Sequence, residues 1–476
     1  MEPARATVPT EPRAPPRWRR LLDAALQPID AEKRRLLEAR WNELPEELRV
    51  PWQVVGQSFT HCGYLMGPSY CSFGCSHCYL PPNANRAPLP SHEEMKAQIE
   101  ANRALLGHGG NFQITGGDVV DAYWRAGRAG ELVEVIRQAV DVGLVPMLMT
   151  HGQKLLEHPD YLDRLVVEGR LRKLAVHIDI TQAGRPGFPI REIRSERDLH
   201  PLREQFVKLI RSSQRRTGVR FFAAHTLTVT SRNLGEVGEL IRWLLADRER
   251  LRAFRMLSLQ PEADVGRTRG VAAPASAQGN AGDNARATPE ACWAEVEKAL
   301  GQELGHDNLW FGDPSCSRMA TVLLLGTRPP LDALPSDPRS RAIREEVRQV
   351  FAGVGATGHD RLEALLRRSS LLARRPTLAL RLLAYARHRL REEGIPMLEA
   401  LRALGTGRVA ALNVVQHNFM DAAEVRAGGP EVERRLRACS FRGAVPGPEG
   451  WQAVPMCQLN AGKREELYRL AIEEER

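Results

Sequence analysis

Apolar strand-like runs alternate with helical stretches across the first half of the chain, polar or glycine-bearing residues close those runs, and the remainder is mostly helical. These observations predict an α/β fold: a partial, TIM-like (β/α)6 barrel followed by a mainly helical C-terminal region. At 476 residues the chain exceeds one average domain, so a core of about 200–250 residues with additions is expected. The expected divisions are a disordered then helical leader (1–50), the barrel core (51–270), a flexible linker (271–288) and the C-terminal region (289–476).

Residues 1–16 are proline-rich and lack the composition of a packed segment. Residues 17–48 carry helical spacing through Leu21, Leu22, Ala25, Leu36 and Leu37. Residues 51–70 hold the first expected strand. The next strands are Asn111–Thr115, Leu144–Thr150, Leu174–Ile180, Val219–Val229 and Phe254–Leu259, nearly continuous apolar runs of the kind that helices cover on a parallel sheet. Helices are expected at Ser91–Leu106, Gly130–Val142, Pro159–Glu168, Pro201–Thr217 and Leu234–Asp247. Ser91 and Glu94 have capping-box spacing. Residues 271–288 are rich in Ala, Gly, Ser and Asn. Beyond them, helices are expected at Pro289–Leu304, Ser340–Phe351, His359–Leu372, Leu378–Glu393 and Ile395–Leu404, with Thr288 capping Pro289 at the first helical position.

Hydrophobic residues make up 43% of the chain, enough for a core, and no run of 18 apolar residues marks a transmembrane span. Met1 to Arg20 has no apolar signal-peptide centre. Eight cysteines, three of them packed together, do not form a disulfide framework, so a reducing cytoplasm is expected. The net charge of +9 is carried by arginines spread along the chain and reads as solvated helix faces; specific nucleic-acid binding is not expected. Arg17-Trp18-Arg19-Arg20 and the Arg211–Arg216 cluster also suit phosphates or anionic lipid heads.

The chemistry centres on Cys71-Ser72-Phe73-Gly74-Cys75-Ser76-His77-Cys78. Three thiolates on one short loop can hold three irons of a cubane cluster and leave one iron open. Gly74 is expected to let the loop curl between its first two ligands. A zinc site is the other metal reading, but it would need a second cysteine pair nearby, and none follows.

At these residues the sequence resembles the radical S-adenosylmethionine (SAM) enzymes, whose signature is a Cys-x3-Cys-x2-Cys triplet. The resemblance implies a [4Fe–4S] cluster on Cys71, Cys75 and Cys78, with SAM on the open iron. It also implies cleavage of SAM to a 5′-deoxyadenosyl radical that takes hydrogen from a substrate, and an electron donor such as flavodoxin or ferredoxin. His77 stands where the family usually has an aromatic residue, and Tyr79 follows the triplet.

Thr115-Gly116-Gly117-Asp118 closes the second strand, where the family has a Gly-Gly-Glu-type motif that cradles the SAM amino group. Glycines there allow close backbone approach, and the acid can accept from an ammonium. Thr150, in Thr150-His151-Gly152, is a candidate polar contact to SAM. His177 and Asp179 share one face of their strand, and Asp179 is a candidate for the ribose hydroxyls or else one half of a salt-bridged pair. Of His225 and Thr228, on opposite faces, only one can face the lumen. Gln260 and the residues after it resemble the family's adenine-passing segment. Arg267 and Arg269 read as surface ion-pair residues.

Three late cysteines, Cys316, Cys439 and Cys457, lie far apart in sequence and read alone as buried thiols. Their settings, Asp313-Pro314-Ser315-Cys316 and Val454-Pro455-Met456-Cys457, resemble elements of the archaeal tetraether lipid synthase group. So do His417–Asp421 and the Pro446–Gly450 turn. That resemblance implies an auxiliary iron–sulfur cluster on the three, with Cys62, Cys292 or a non-cysteine group as fourth ligand. The relatives' N-terminal cysteine-rich element has no counterpart before Cys62. Substrate candidates are a lipid chain, a peptide or a small metabolite. The contrasting function is a non-catalytic binding protein with a structural iron–sulfur or zinc site.

Overall fold

The computed structural model describes residues 16–56, 62–189, 191–268, 286–326, 328–354, 361–447 and 450–475. Its centre is one sheet of eleven strands: β1 (Cys62–Met66), β2 (Asn111–Thr115), β3 (Val145–Thr150), β4 (Lys173–His177), β5 (Phe222–Val229), β6 (Phe254–Pro261), β7 (Ser317–Leu325), β8 (Leu331–Asp332), β9 (Val409–His417), β10 (Phe441–Gly447) and β11 (Gly450–Pro455). The order across the sheet is β11-β10-β1-β2-β3-β4-β5-β6-β9-β7-β8. The eight strands from β10 to β9 are parallel to their neighbours; β11, β7 and β8 are antiparallel additions. The sheet's end strands do not pair, so no closed barrel forms among the described residues.

The six expected strands are present, and the sheet extends past them on both sides. β9 docks beside β6 and β10 beside β1, so residues from the C-terminal region complete the parallel array. No strand is expected there from sequence. Ser317–Leu325 and Val409–His417 are short apolar runs that periodicity cannot separate from helix, and β10 and β11 contain Pro446 and Pro455. The Pro446–Gly450 turn lies at the tip of this hairpin, where Gly447 pairs with Gly450; residues 448 and 449 lie outside the described residues. So do residues 1–15 of the leader, residues 271–285 of the linker, and Arg269.

Helices follow the expected positions with ends moved by a few residues. Ser91 caps His92–Leu106 with a full capping box, and Thr288 caps Pro289–Leu300 with Pro289 at its start. The main core lies between helices and sheet. Phe112, Ile114, Leu148, Leu174, Leu227 and Leu257 point outward from the strands onto Ile99, Ile136, Leu162, Phe206, Ile241 and Trp293. Their sequence neighbours turn the other way by the two-residue period of a strand. Asn111, Gln113 and Thr115, Met147 and Met149, Thr226 and Thr228, and Ser258 and Gln260 therefore line one concave face.

Candidate active site

The cysteine loop leaves β1 at the end of the parallel strands and is held by backbone bonds to three neighbours. Gly117 N–H donates to Pro68 O (2.6 Å) and Asp118 N–H to Tyr70 O (2.9 Å), at the end of β2. Gly74 N–H donates to Ala183 O (2.9 Å) and Ser76 N–H to Thr181 O (3.0 Å), past β4. Arg267 N–H donates to Cys78 O (2.8 Å), past β6. A Cβ on Gly116 or Gly117 would fall within 3.0 Å of the Pro68 or Tyr70 carbonyl oxygens. The glycine pair thus serves close approach, and what approaches is the cysteine loop itself. Gly74 differs from expectation: its φ is not positive and a Cβ there would meet nothing within 4 Å, so the loop's course there follows from backbone bonding.

The three loop thiols lie within one another's electrostatic reach. Burial first, then the charge of Asp118, pushes Cys71 up to about 12, and Cys78 adds to this. Burial, then Cys78, Asp179 and Cys71, push Cys75 well above the usual thiol value, against an opposing pull from Arg185. Burial raises Cys78, opposed by the Leu80 N–H, Arg267 and Arg464. Thiols held this way keep their protons until a metal displaces them. Among the described residues, no three His, Cys, Asp or Glu side chains are placed to share a single metal ion.

A cavity of about 400 Å³ opens beside the loop, lined by His77 and Tyr79 on either side of Cys78. Its walls carry five methionines (Met147, Met149, Met256, Met319, Met456) with Phe311, Phe419 and Phe441, and its polar groups are mainly the strand residues named above. Of the cofactor candidates, Tyr79, Thr115 and Gln260 face this space. The Tyr79 hydroxyl donates to Gly116 O (2.7 Å), lies 3.1 Å from Thr115 Oγ1, and is pushed up to about 12 by burial.

Asp118, Thr150 and Asp179 are buried and bonded within the protein. Asp118 Oδ1 accepts from Asp121 N–H (2.8 Å), capping Val119–Arg125; Oδ2 accepts from the Thr150 hydroxyl (2.7 Å) and His151 N–H (2.5 Å). Thr150 Oγ1 in turn accepts from Gly152 N–H (2.8 Å). The His151 ring stacks on Phe73 of the cysteine loop at 3.7 Å and 5°. Beside it, burial would raise Asp121, but the His151 ring 3.8 Å away and a bond from the Ser72 N–H (2.9 Å) outweigh this and hold it at about 2. Asp179 accepts from Thr181 N–H and hydroxyl (2.8 and 2.6 Å) and Thr228 N–H (2.8 Å), and lies 2.5 Å from His177 Nε2. Its burial is overcome by His177 and these donors, which keep it well below the carboxylate range. Thr228 faces the cavity. His225 points to the helical side, where Arg203 Nε donates to its Nε2 (3.0 Å).

Sequence reasoning missed two features. His77 Nε2 lies 2.8 Å from Glu262 Oε2, and both line the cavity. Burial would raise Glu262, but His77 and the Ala287 N–H hold it below the usual range. The methionine wall was the other; Met147 and Met149, two apart on one strand, carried a signal for it.

Cys316, Cys439 and Cys457 come together around Arg435. Arg435 Nε donates to Cys316 Sγ (3.4 Å), Cys439 Sγ donates to Phe441 O (2.9 Å), and Cys457 Sγ accepts from Met420 N–H (3.5 Å). Burial is the main cause that pushes Cys316 and Cys457 up to about 12; Cys439 adds to both, and Arg435 opposes both. Their sequence neighbours Ser317, Ser440 and Met456 line the cavity. Cys292 is fully buried in the main core beside Trp293, and the Cys62 side chain lies outside the described residues.

No family model matches the chain, and no curated protein does. Among solved structures it is similar to anSMEcpe with bound AdoMet, with a TM-score of 0.29 and 14% identity over 41% of this chain and 50% of that one. It is similar to anSMEcpe with bound AdoMet and Cp18Cys peptide at 0.32 and 13%, over 50% and 58%. It is also similar to an apo β-glucosidase, 1317, at 0.28 and 13%, over 52% and 76%. The chain spans about half the length of the anSMEcpe structures it matches. These neighbours differ from one another in chemistry.

Proposed function

We propose that this chain is a radical SAM enzyme with a [4Fe–4S] cluster on Cys71, Cys75 and Cys78. The observation that carries the reading is the convergence of three half-buried thiols at the edge of a substrate-sized cavity. Three thiols on one short loop, with no second cysteine pair close by in the sequence, suit three corners of a cubane better than a zinc ion. Bound together, the cluster and SAM supply a 5′-deoxyadenosyl radical that abstracts hydrogen from a substrate.

The chain's own residues have separate tasks in this reading. The Gly116-Gly117 pair seats the cysteine loop. Arg185 and Arg267 bring positive charge to Cys75 and Cys78 and offset the charge of three thiolates. Tyr79, Thr115 and Gln260 contact SAM from the cavity wall. Asp118, Thr150 and Asp179 are positioning residues that fix the ends of β2, β3 and β4 around it. The methionine and phenylalanine wall excludes water and takes an apolar part of the substrate, whether a lipid chain, a peptide side chain or a small metabolite. Cys316, Cys439 and Cys457 are assigned to a second iron–sulfur cluster, and the electron donor to a flavodoxin or ferredoxin of the cytosol. A binding protein stapled by a metal would need no cavity beside the staple.

The test is anaerobic reconstitution followed by SAM titration, read by electron paramagnetic resonance of the reduced protein. A cluster spectrum that shifts on SAM addition supports the proposal. A spectrum indifferent to SAM, or no cluster, refutes it.

A further inference from the structure

Helices Arg17–Leu26, Arg361–Ala373, Pro376–Glu392 and Met397–Gly405 form a continuous layer, each packed on the next. The Ser370 hydroxyl donates to Ala25 O (2.7 Å) and Arg374 Nη2 to Leu26 O (2.9 Å), so the first helix is tied to the second through its free carbonyls. Of thirteen exposed large apolar side chains among the described residues, ten lie on these four helices. Trp18, Leu22 and Leu26 make one stripe at four-residue spacing, with Trp18 66% exposed; Leu398, Leu401 and Leu404 make another at three-residue spacing. Single exposed apolar side chains are ordinary, but ten on adjoining helices mark a surface that meets a partner.

Charge identifies the partner. Residues 361–408 hold eleven arginines against four glutamates, with no lysine or aspartate, a net charge of +7. Arg17–Leu26 adds three arginines against one aspartate, +2. These two segments carry the whole formal charge of +9, and the rest of the chain is neutral in sum. Arginine follows the exposed apolar residue directly in Trp18-Arg19 and Leu401-Arg402, so cationic and apolar groups are presented together. A second copy of the chain would set like charge against like. A nucleic-acid backbone would leave the leucines in water. An anionic bilayer satisfies both, with indole and leucine side chains at the acyl boundary and guanidinium groups at the phosphates. Among the described residues, no helix is long and apolar enough to cross the membrane.

We propose that this four-helix layer docks the protein onto the surface of an anionic lipid bilayer. The proposal rests on that surface alone and not on the chemistry of the cavity.

The experiment is flotation of the full-length protein with vesicles of phosphatidylcholine, alone or mixed with phosphatidylglycerol. The protein is expected to float with the mixed vesicles, to stay behind with phosphatidylcholine alone, and to bind several-fold less as salt shortens the screening length. The double variant Leu22→Glu/Leu401→Glu, at two exposed positions, is expected to keep the wild-type melting temperature and lose about tenfold or more in vesicle binding. No flotation of the wild type, equal binding to both vesicle types, or wild-type binding by the variant overturns the proposal. So does light scattering that shows a wild-type dimer, made monomeric by the variant, with no vesicle binding in either form.

Discussion

Gly117 has no room for a side chain because the carbonyl oxygen of Tyr70 occupies the place where its Cβ would stand. The residue before the first cysteine and the residue before Asp118 are thereby locked face to face, with Asp118 N–H donating to the same oxygen at 2.9 Å. The geometry of the thiols depends on a contact made by a glycine about forty positions downstream.

Gly117→Ala is expected to push the loop off the end of β2, with a cost of about 1–3 kcal/mol from overpacking and a marked loss of reconstituted iron. Gly74→Ala, where a Cβ meets nothing, is the control and should load iron as the wild type does. Iron per chain and thermal melts of the two variants check this. Equal iron in both variants would mean that the glycine pair does not seat the loop.

Asp118→Ala removes a helix cap and strands the buried donors of Thr150 and His151. A loss of about 2–4 kcal/mol in unfolding free energy is expected, on the scale of a lost cap plus an unsatisfied buried donor. Chemical denaturation of the iron-free protein measures it. A loss under about 0.5 kcal/mol, the range of neutral surface substitutions, would make Asp118 a ligand contact rather than a positioning residue.

His225 is fully buried, and burial followed by Arg203 holds its pKa well below that of free histidine. Below the unfolded value of about 6.5 the unfolded chain takes up a proton that the folded chain refuses, so acidification should lower stability by up to about 1.4 kcal/mol per pH unit from this group. His225→Gln keeps an acceptor for Arg203 and removes the titration. Urea midpoints at pH 7.5 and 5.5 should therefore fall less in the variant than in the wild type. Identical falls would show that His225 is protonated in the fold.

The triple variant Cys316→Ala/Cys439→Ala/Cys457→Ala should lose about four irons per chain, if the late thiols hold a cubane, while the SAM-responsive signal remains. Iron content equal to wild type would make these three residues packing thiols only.

Much of this molecule was legible in its residues. The strands from Asn111 to Leu259 were readable because each is a short apolar run closed by polar or glycine residues, and Ser91 and Thr288 fixed two helix starts. Strands β9 and β10 were not readable, since their pairing with β6 and β1 depends on chain closure over more than 150 residues, and proline masks the strand character of β10. The cysteine triplet and the glycine pair were visible as motifs, but not that the second seats the first. Asp118 reads as an open acceptor because sequence cannot tell which donors a fold will bring, and it takes Thr150 from the next strand; Asp179 reads as a ribose contact or half of an ion pair, and it pairs with His177 while also taking the Thr228 N–H.

The most direct measurement is 5′-deoxyadenosine, quantified by mass spectrometry after anaerobic reconstitution, with SAM and a strong reductant, in the wild type and in Cys75→Ala. Three thiolates holding a SAM-cleaving cluster predict 5′-deoxyadenosine from the wild type and none above background from the variant, which keeps only two of the three ligands. Equal 5′-deoxyadenosine from both proteins, or none from a wild type that carries its full iron, would contradict the assignment of Cys71, Cys75 and Cys78.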